Sequence, residues 1–139
     1  MKPHIEEARR SLRLANRDIK AFNVLKDAWD VDLATTCFHA QQAIEKSLKA
    51  ILFIHQIETR RTHDLVQLAQ LLRQYGVDPP ATDEQMSRIN PFAVMLRYDD
   101  MEIDIISKHE AASLVRLIYS WAEKLVQAAT GGPDEPVGH

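Results

Sequence analysis

Residues that interrupt helices or cross-link chains are scarce in this sequence. Its 139 residues include 4 Gly, 6 Pro and one Cys, and aromatic residues make up only 6 %. This composition favours a compact helical protein over a sheet protein or a disordered chain. The single cysteine, Cys37, cannot form an internal disulfide, so a reducing, cytoplasmic location is expected. Cys37 falls on an apolar stripe and is predicted to be a small core residue, not a reactive thiol.

The sequence also lacks a large excess of charge of one sign and a long apolar run. The net charge of −3 gives no general attraction to nucleic acid, so any contact with phosphate must come from a local patch. The first residues, MKPHIEEARRSL, are charged and lack the apolar segment of a signal peptide. No run approaches the ~18 apolar residues of a membrane span, so no membrane association is expected.

Apolar residues recur at helical spacing along most of the chain. A first helix is predicted from about Pro3 to Leu25, and a second runs to about His55 after a cap at Asp30 or Asp32. One face of the second helix forms a predicted core stripe of Leu33, Cys37, Ala40, Ile44, Leu48 and Ile51.

Three further helices follow from capping signals and prolines. Thr62 is the expected cap of a third helix that ends near Tyr75, whose ring is expected to be buried. A Pro-Pro pair then breaks the pattern. Two capping boxes predict a short fourth helix and a long last helix: Thr82 with Gln85, and Ser107 with Glu110.

The predicted fold is all-α, with residues 1–130 forming one domain. Four main helices make an antiparallel bundle, with one short helical segment before the last helix. The stretch NPFAVMLRYDDMEID is the least periodic part of this domain and is predicted to be an extended connection. Residues 131–139, GGPDEPVGH, contain too few apolar residues to fold and are predicted to be a disordered tail.

The second helix also carries a polar face opposite its core stripe, formed by His39, Gln42, Lys46 and Lys49. One interpretation is an ordinary solvated face, on which Glu45 and Lys49 form an i,i+4 pair worth about 0.3–0.5 kcal/mol. The other is that Lys46 and Lys49 donate hydrogen bonds to a phosphate or an acidic partner. Phe38 and Phe53 flank this face, which favours its being covered by another chain.

Three segments in order resemble the HEPN domain (higher eukaryotes and prokaryotes nucleotide-binding), in its small stand-alone prokaryotic form: CFHAQQAIEKSLKAIL, THDLVQLAQLL and NPFAVMLRYDD. A long last helix follows them, and the resemblance covers about residues 11–127. It implies a bundle of four or five helices that usually forms a homodimer. It also implies an affinity for nucleotide or RNA, and a minimal nucleotidyltransferase as partner in a two-component system of toxin–antitoxin type.

Ribonuclease members of this family pair an Arg with a His four to six residues away, across the dimer, and cleave RNA without metal. No Arg of this sequence is followed by a His at that spacing. Lys49 and His55 have five residues between them, but lysine lacks the planar fork of arginine, and His55 is expected on the core side of its helix. The missing pair favours a non-catalytic interaction module. The alternative is a metal-independent ribonuclease toxin with a non-standard active site.

Six residues are predicted to line a nucleotide or partner groove if one exists. His63 and Asp64 open the third helix, where Asp64 serves as a cap or the two residues join helices or form part of a polar groove. Arg97 and Tyr98 lie on the irregular connection, where they bind a ligand or contact their own chain. No metal ligand is predicted, because the histidines follow no ligand spacing. The missing Arg/His pair leaves no catalytic residue, and no cofactor is predicted. The predicted site residues are Lys46, Lys49, His63, Asp64, Arg97 and Tyr98.

Overall fold

A computed structural model of the chain describes residues 2–59, 61–93 and 106–131. These ranges contain helices and turns but no strand, so the predicted all-α fold of four main helices and one short one is confirmed. A short 3₁₀ turn at residues 90–93 follows the fourth helix. The helices in chain order are α1 (Pro3–Lys26), α2 (Leu33–Ile54), α3 (Leu65–Gln74), α4 (Asp83–Ile89) and α5 (Lys108–Ala129).

The predicted connection lies outside the described residues from position 94 onward, and so does the predicted tail from position 132. The domain boundary at residue 130 stays a prediction. None of the helices in the described ranges combines the length and the hydrophobicity that crossing a membrane requires.

Side-chain caps fix where α2, α4 and α5 begin. Asp32 caps α2 by accepting a hydrogen bond from the Thr35 backbone N–H at 2.7 Å, which settles the choice between Asp30 and Asp32. Each cap satisfies backbone N–H groups that have no partner within the first helical turn. Both predicted capping boxes are present, with Thr82 and Gln85 opening α4 and with Ser107 and Glu110 opening α5.

The predicted cap of α3 is wrong by two positions. Asp64 caps this helix, accepting from the backbone N–H groups of Val66 at 3.0 Å and Gln67 at 3.4 Å. Thr62 instead accepts from the backbone N–H of Asp64 at 3.0 Å. A cap must immediately precede the first helical residue, and Asp64 holds that position before Leu65.

Helix α2 is the centre of the bundle and packs against all four other helices. Four small residues of this helix have no exposed surface: Ala40, Ala43, Ser47 and Ala50. The predicted core stripe is buried except for Leu33, which is half-buried. Cys37 is fully buried, as predicted, and this burial raises the pKa of its thiol to about 12.

Two helix C-termini explain why two residues expected in the core are exposed. His55 and Tyr75 are the C-cap residues of α2 and α3, and after each the chain takes a left-handed residue, Gln56 with φ 55° and Gly76 with φ 80°. The next N–H then returns to the carbonyl five residues earlier, from Ile57 to Leu52 at 2.9 Å and from Val77 to Leu72 at 3.0 Å. Ile57 and Val77 therefore pack on the core in place of His55 and Tyr75.

Candidate functional site on the polar face of α2

Asp18 of α1 holds one edge of the polar face. Its Oδ1 lies 3.0 Å from His39 Nδ1, and its Oδ2 accepts from Lys46 Nζ at 2.5 Å. Nearby, the Ser11 hydroxyl donates to the Lys46 carbonyl at 2.7 Å, so α1 and α2 pair in antiparallel fashion. The Asp18 side chain is 13 % exposed. Helix α1 thus covers part of this edge, and the polar face is partly buried where the first interpretation expects a fully solvated surface.

Glu45 organises the opposite edge of the same face. Its side chain is 4 % exposed and accepts from Lys49 Nζ at 2.9 Å and Gln41 Nε2 at 3.2 Å. His63 Nδ1 lies 3.0 and 3.1 Å from the two carboxylate oxygens. The predicted Glu45–Lys49 pair is confirmed, but it belongs to a buried network and is not an isolated surface pair.

The ring of His63 is exposed to solvent, although its Nδ1 contacts the buried Glu45. Its side chain is 67 % exposed, and Gln41 Nε2 donates to its carbonyl at 3.0 Å, which fixes the backbone beside α2. An ionised carboxylate only accepts hydrogen bonds, so Nδ1 carries the proton that faces Glu45. In the neutral imidazole, Nε2 is then a hydrogen-bond acceptor on the exposed side.

The Asp64 side chain forms hydrogen bonds both at the start of α3 and to Asn90 at the end of α4. Besides its capping bonds, its Oδ1 accepts from Asn90 Nδ2 at 2.8 Å, and Asn90 Oδ1 accepts from the Leu65 N–H at 2.9 Å. Asp64 therefore serves both as a cap and as a link between helices, the two structural roles considered for it. Its carboxylate adjoins His63 in sequence but does not take part in the Glu45 network.

The structure brings three of the six predicted site residues onto one surface: Lys46, Lys49 and His63. Arg97 and Tyr98 lie outside the described residues. The two flanking aromatics are half-buried, with Phe38 packed edge-on against His39 at a ring-centroid distance of 5.3 Å and Phe53 packed on the core.

Sequence patterns missed both organising carboxylates. The spacing identifies Glu45 only as a partner of Lys49. Glu45 nevertheless borders the core stripe, and a carboxylate so close to buried positions indicates a polar network. No sequence pattern points to Asp18, because only the packing of α1 against α2 brings it to this face. Across the described residues every buried side-chain N or O atom has a hydrogen-bond partner.

The charges of this face nearly cancel. Asp18 and Glu45 face Lys46 and Lys49, so two ammonium groups meet two carboxylates. Such a surface is no general attractor of polyanions, and its recognition depends on hydrogen-bond geometry. Within the part of the chain that the structure describes, no group of His, Cys, Asp and Glu is arranged to hold a metal ion.

This chain is similar to a family model in sequence and to a solved structure in fold. A family model described as the HEPN domain matches residues 5–126. The crystal structure of an archaeal HEPN homologue is similar, with a TM-score of 0.55 and 18 % identity, and the match covers 86 % of this chain and 97 % of that chain. At this identity the likeness concerns the fold alone. No curated protein sequence matches the chain.

Proposed function

The chain belongs to the HEPN family, and we propose that it is a non-catalytic binding module for a minimal nucleotidyltransferase and for a nucleotide or RNA. The polar face of α2 is the proposed binding surface. The kind of protein partner, and its place in a two-component system of toxin–antitoxin type, are inferred from the family resemblance.

The observation that supports a binding role is that Lys46 and Lys49 are each paired with a carboxylate. Lys46 is held by Asp18 and Lys49 by Glu45, so four charges form two fixed pairs. RNA cleavage without metal needs a general base, a proton donor and a cation on the phosphate. The sequence has no Arg that is followed by a His at the ribonuclease spacing. A fixed and nearly neutral surface suits recognition of a complementary partner.

Lys46 and Lys49 still have N–H donors that are available to a phosphate group. An ammonium group carries three N–H donors, and each lysine directs one to its carboxylate. The side chains of Lys46 and Lys49 are 28 % and 24 % exposed. Because the local charge is close to zero, we expect a short nucleotide or RNA loop to bind better than a long duplex backbone.

Nucleotide binding is tested with matched pairs of charge variants. Fluorescence anisotropy with labelled ATP and a labelled RNA hairpin should show weaker binding by Lys46→Gln/Lys49→Gln than by the wild type. The control is Arg17→Gln/Lys20→Gln, which removes the same charge from exposed positions of α1. Equal affinity in all three proteins would contradict a role for this face.

Partner binding is tested by co-expression. A minimal nucleotidyltransferase encoded beside the gene of this chain should co-purify with the wild type, and the lysine double variant should retain less of it than the α1 control. Circular dichroism establishes that both variants are folded. Failure of the wild type to retain such a protein would remove the partner from the proposal.

The Glu45–His63 pair favours a ribonuclease as the second candidate. A buried carboxylate on Nδ1 fixes the orientation of an imidazole and leaves Nε2 in place to act as a general base. Purified protein is incubated with structured RNA and tRNA in chelator, beside His63→Ala. We expect intact RNA in both samples. Cleavage that disappears in His63→Ala would replace the non-catalytic role with a catalytic one.

A further inference from the structure

The outer side of α1 concentrates positive charge on a chain whose net charge is −3. Five cations with exposed side chains follow one face of this helix: Arg9, Arg10, Arg13, Arg17 and Lys20. At 3.6 residues per turn they fall within about 100° of the helix circumference and extend over about 16 Å of its length. We call these five residues the α1 basic stripe.

The α1 basic stripe forms no ion pair with the part of the chain that the structure describes. Asp18 is the single acid within its span, and the Asp18 carboxylate contacts α2 instead. Arg13 lies four residues from both Arg9 and Arg17, and like charges at this spacing repel each other on a helix. An acidic partner relieves this repulsion, because a guanidinium binds a carboxylate through two parallel hydrogen bonds.

A groove between α1 and α5 adjoins the stripe. It has a volume of about 280 Å³, and Arg9 and Arg13 line its α1 side. Its apolar lining includes Leu12 and Val126, which are 8 % and 3 % exposed, and the half-buried ring of Tyr119. A row of cations beside an apolar groove is the complement of an amphipathic helix whose acidic residues adjoin its apolar face.

Features at both ends of the stripe favour such a helix over nucleic acid. Glu6 is exposed one turn before the stripe, and Asp27 and Asp30 are exposed beyond its other end. Val24, on the same face one turn after the stripe, is 71 % exposed. A phosphate backbone that followed α1 would meet carboxylates and apolar surface at these ends. A short helical segment fits between them.

We propose that the outer face of α1 binds an acidic amphipathic helix of a protein partner. The carboxylates of that helix pair with the α1 basic stripe, and its apolar side chains enter the groove between α1 and α5. Opposite charges speed association and fix the orientation, while the groove adds apolar contact area. The interaction uses neither Lys46 nor Lys49, so it is independent of the binding surface proposed on α2.

A designed peptide is the probe for this surface. It has about 18 residues and a fluorescein label, with Leu at positions i, i+4 and i+7 of a helix and Glu on the adjoining face. Fluorescence anisotropy should show binding to the wild type that weakens as salt is added. A peptide of the same composition, with Glu and Leu spread around the helix, should have a Kd about tenfold higher or more.

Matched charge variants locate the site on α1. Arg9→Gln/Arg13→Gln should raise the peptide Kd by about tenfold or more, because these side chains border both the stripe and the groove. Arg61→Gln/Arg116→Gln is the control, since it removes the same charge from exposed positions outside the stripe. Its Kd should stay close to that of the wild type. Circular dichroism establishes that both variants are folded.

Two further measurements separate other occupants of the stripe. A labelled RNA hairpin should bind Arg9→Gln/Arg13→Gln as tightly as it binds the wild type. Asp134→Asn/Glu135→Gln, which removes the two acids of the last nine residues, should leave the peptide Kd unchanged. A tenfold lower Kd in that variant would assign the stripe to the chain's own C-terminal segment.

Three other results would also overturn the proposal. They are a wild type that binds the designed peptide no better than the control peptide, a peptide Kd that is equal in the two arginine variants, and a loss of RNA affinity in Arg9→Gln/Arg13→Gln. The last result would make the stripe a nucleic-acid surface.

Discussion

The ring nitrogen Nδ1 of His63, just before α3, lies 3.0 Å from the Oε1 atom of Glu45 in the middle of α2. One partner is 67 % exposed and the other 4 %, so a buried carboxylate controls the orientation of a surface imidazole. Any ligand that meets His63 therefore meets a ring whose position is set from inside the bundle.

Glu45→Gln should destabilise the fold by about 1–3 kcal/mol, because a buried acceptor of Lys49, Gln41 and His63 is replaced by a group that also donates. His63→Ala should cost less than about 1 kcal/mol, since this side chain is exposed. Urea unfolding of both variants beside the wild type measures the difference. Similar losses in the two variants would mean that Glu45 is not the centre of the network.

Gln56→Gly should stabilise the protein by about 1 kcal/mol. Gln56 has φ 55°, a conformation that costs an L-residue energy and that glycine adopts freely. Gly76→Ala is the matched reverse change, because Gly76 has φ 80° and a Cβ added there would meet nothing within 4 Å. It should cost about 1 kcal/mol. Opposite shifts of the melting temperature are expected, and shifts of the same sign would contradict this explanation.

Asp64→Ala should cost about 1–2 kcal/mol, because the first turn of α3 loses its cap and Asn90 loses an acceptor. Thr62→Ala should cost less, since its hydroxyl is bonded only to the backbone N–H of Asp64 and the side chain of Gln67. Chemical denaturation ranks the two. A larger loss in Thr62→Ala would reverse the assignment.

These two positions show where sequence patterns are informative and where they fail. Capping signals placed the starts of α2, α4 and α5, because a cap acts within three residues of its own helix. Thr62 and Asp64 both fit the pattern before α3, and only the backbone path separates them. Likewise, periodicity grouped Lys46 and Lys49 on one face, but the Asp18 that covers part of it comes from a helix whose packing no local pattern encodes.

The pairing of Arg73 with Asp83 predicts an acid-dependent loss of stability. Hydrogen bonds from the Arg73 guanidinium lower the pKa of Asp83 below its ordinary value of 3.8. The pair therefore stabilises the fold above about pH 3.8, and this contribution is lost as the pH falls through the lowered pKa of the folded state. Asp83→Asn should be less stable than the wild type at pH 7, and the difference should shrink as the pH falls below about 3.8.

Thermal unfolding at pH 7, 4, 3 and 2 follows this difference. Asp78→Asn is the control, because Asp78 also bonds Arg73, at 3.0 Å, but its side chain is 84 % exposed and should contribute less. If the difference in melting temperature between Asp83→Asn and the wild type stays constant with pH, the ion pair is not the origin of that difference.

The thiol of Cys37 should be inert in the folded protein. Burial raises its pKa to about 12, so the reactive thiolate is absent at neutral pH and reagents cannot reach the sulfur. DTNB at pH 8 should label the protein only after denaturant is added. Stability should also fall as the pH rises above about 9, since the thiol ionises first in the unfolded chain. Rapid labelling of the native protein would contradict the buried position.

The central place of α2 has a consequence for how the protein is made. Helices α1 and α2 are neighbours in sequence and form the most extensive helix pair, whereas α5 is synthesised last of the helices. Ribosomes add about 5–20 residues per second, so for several seconds the side of α2 that α5 will cover meets water or a chaperone. The nascent chain, and not the finished bundle, is therefore the form in which this protein is most open to aggregation.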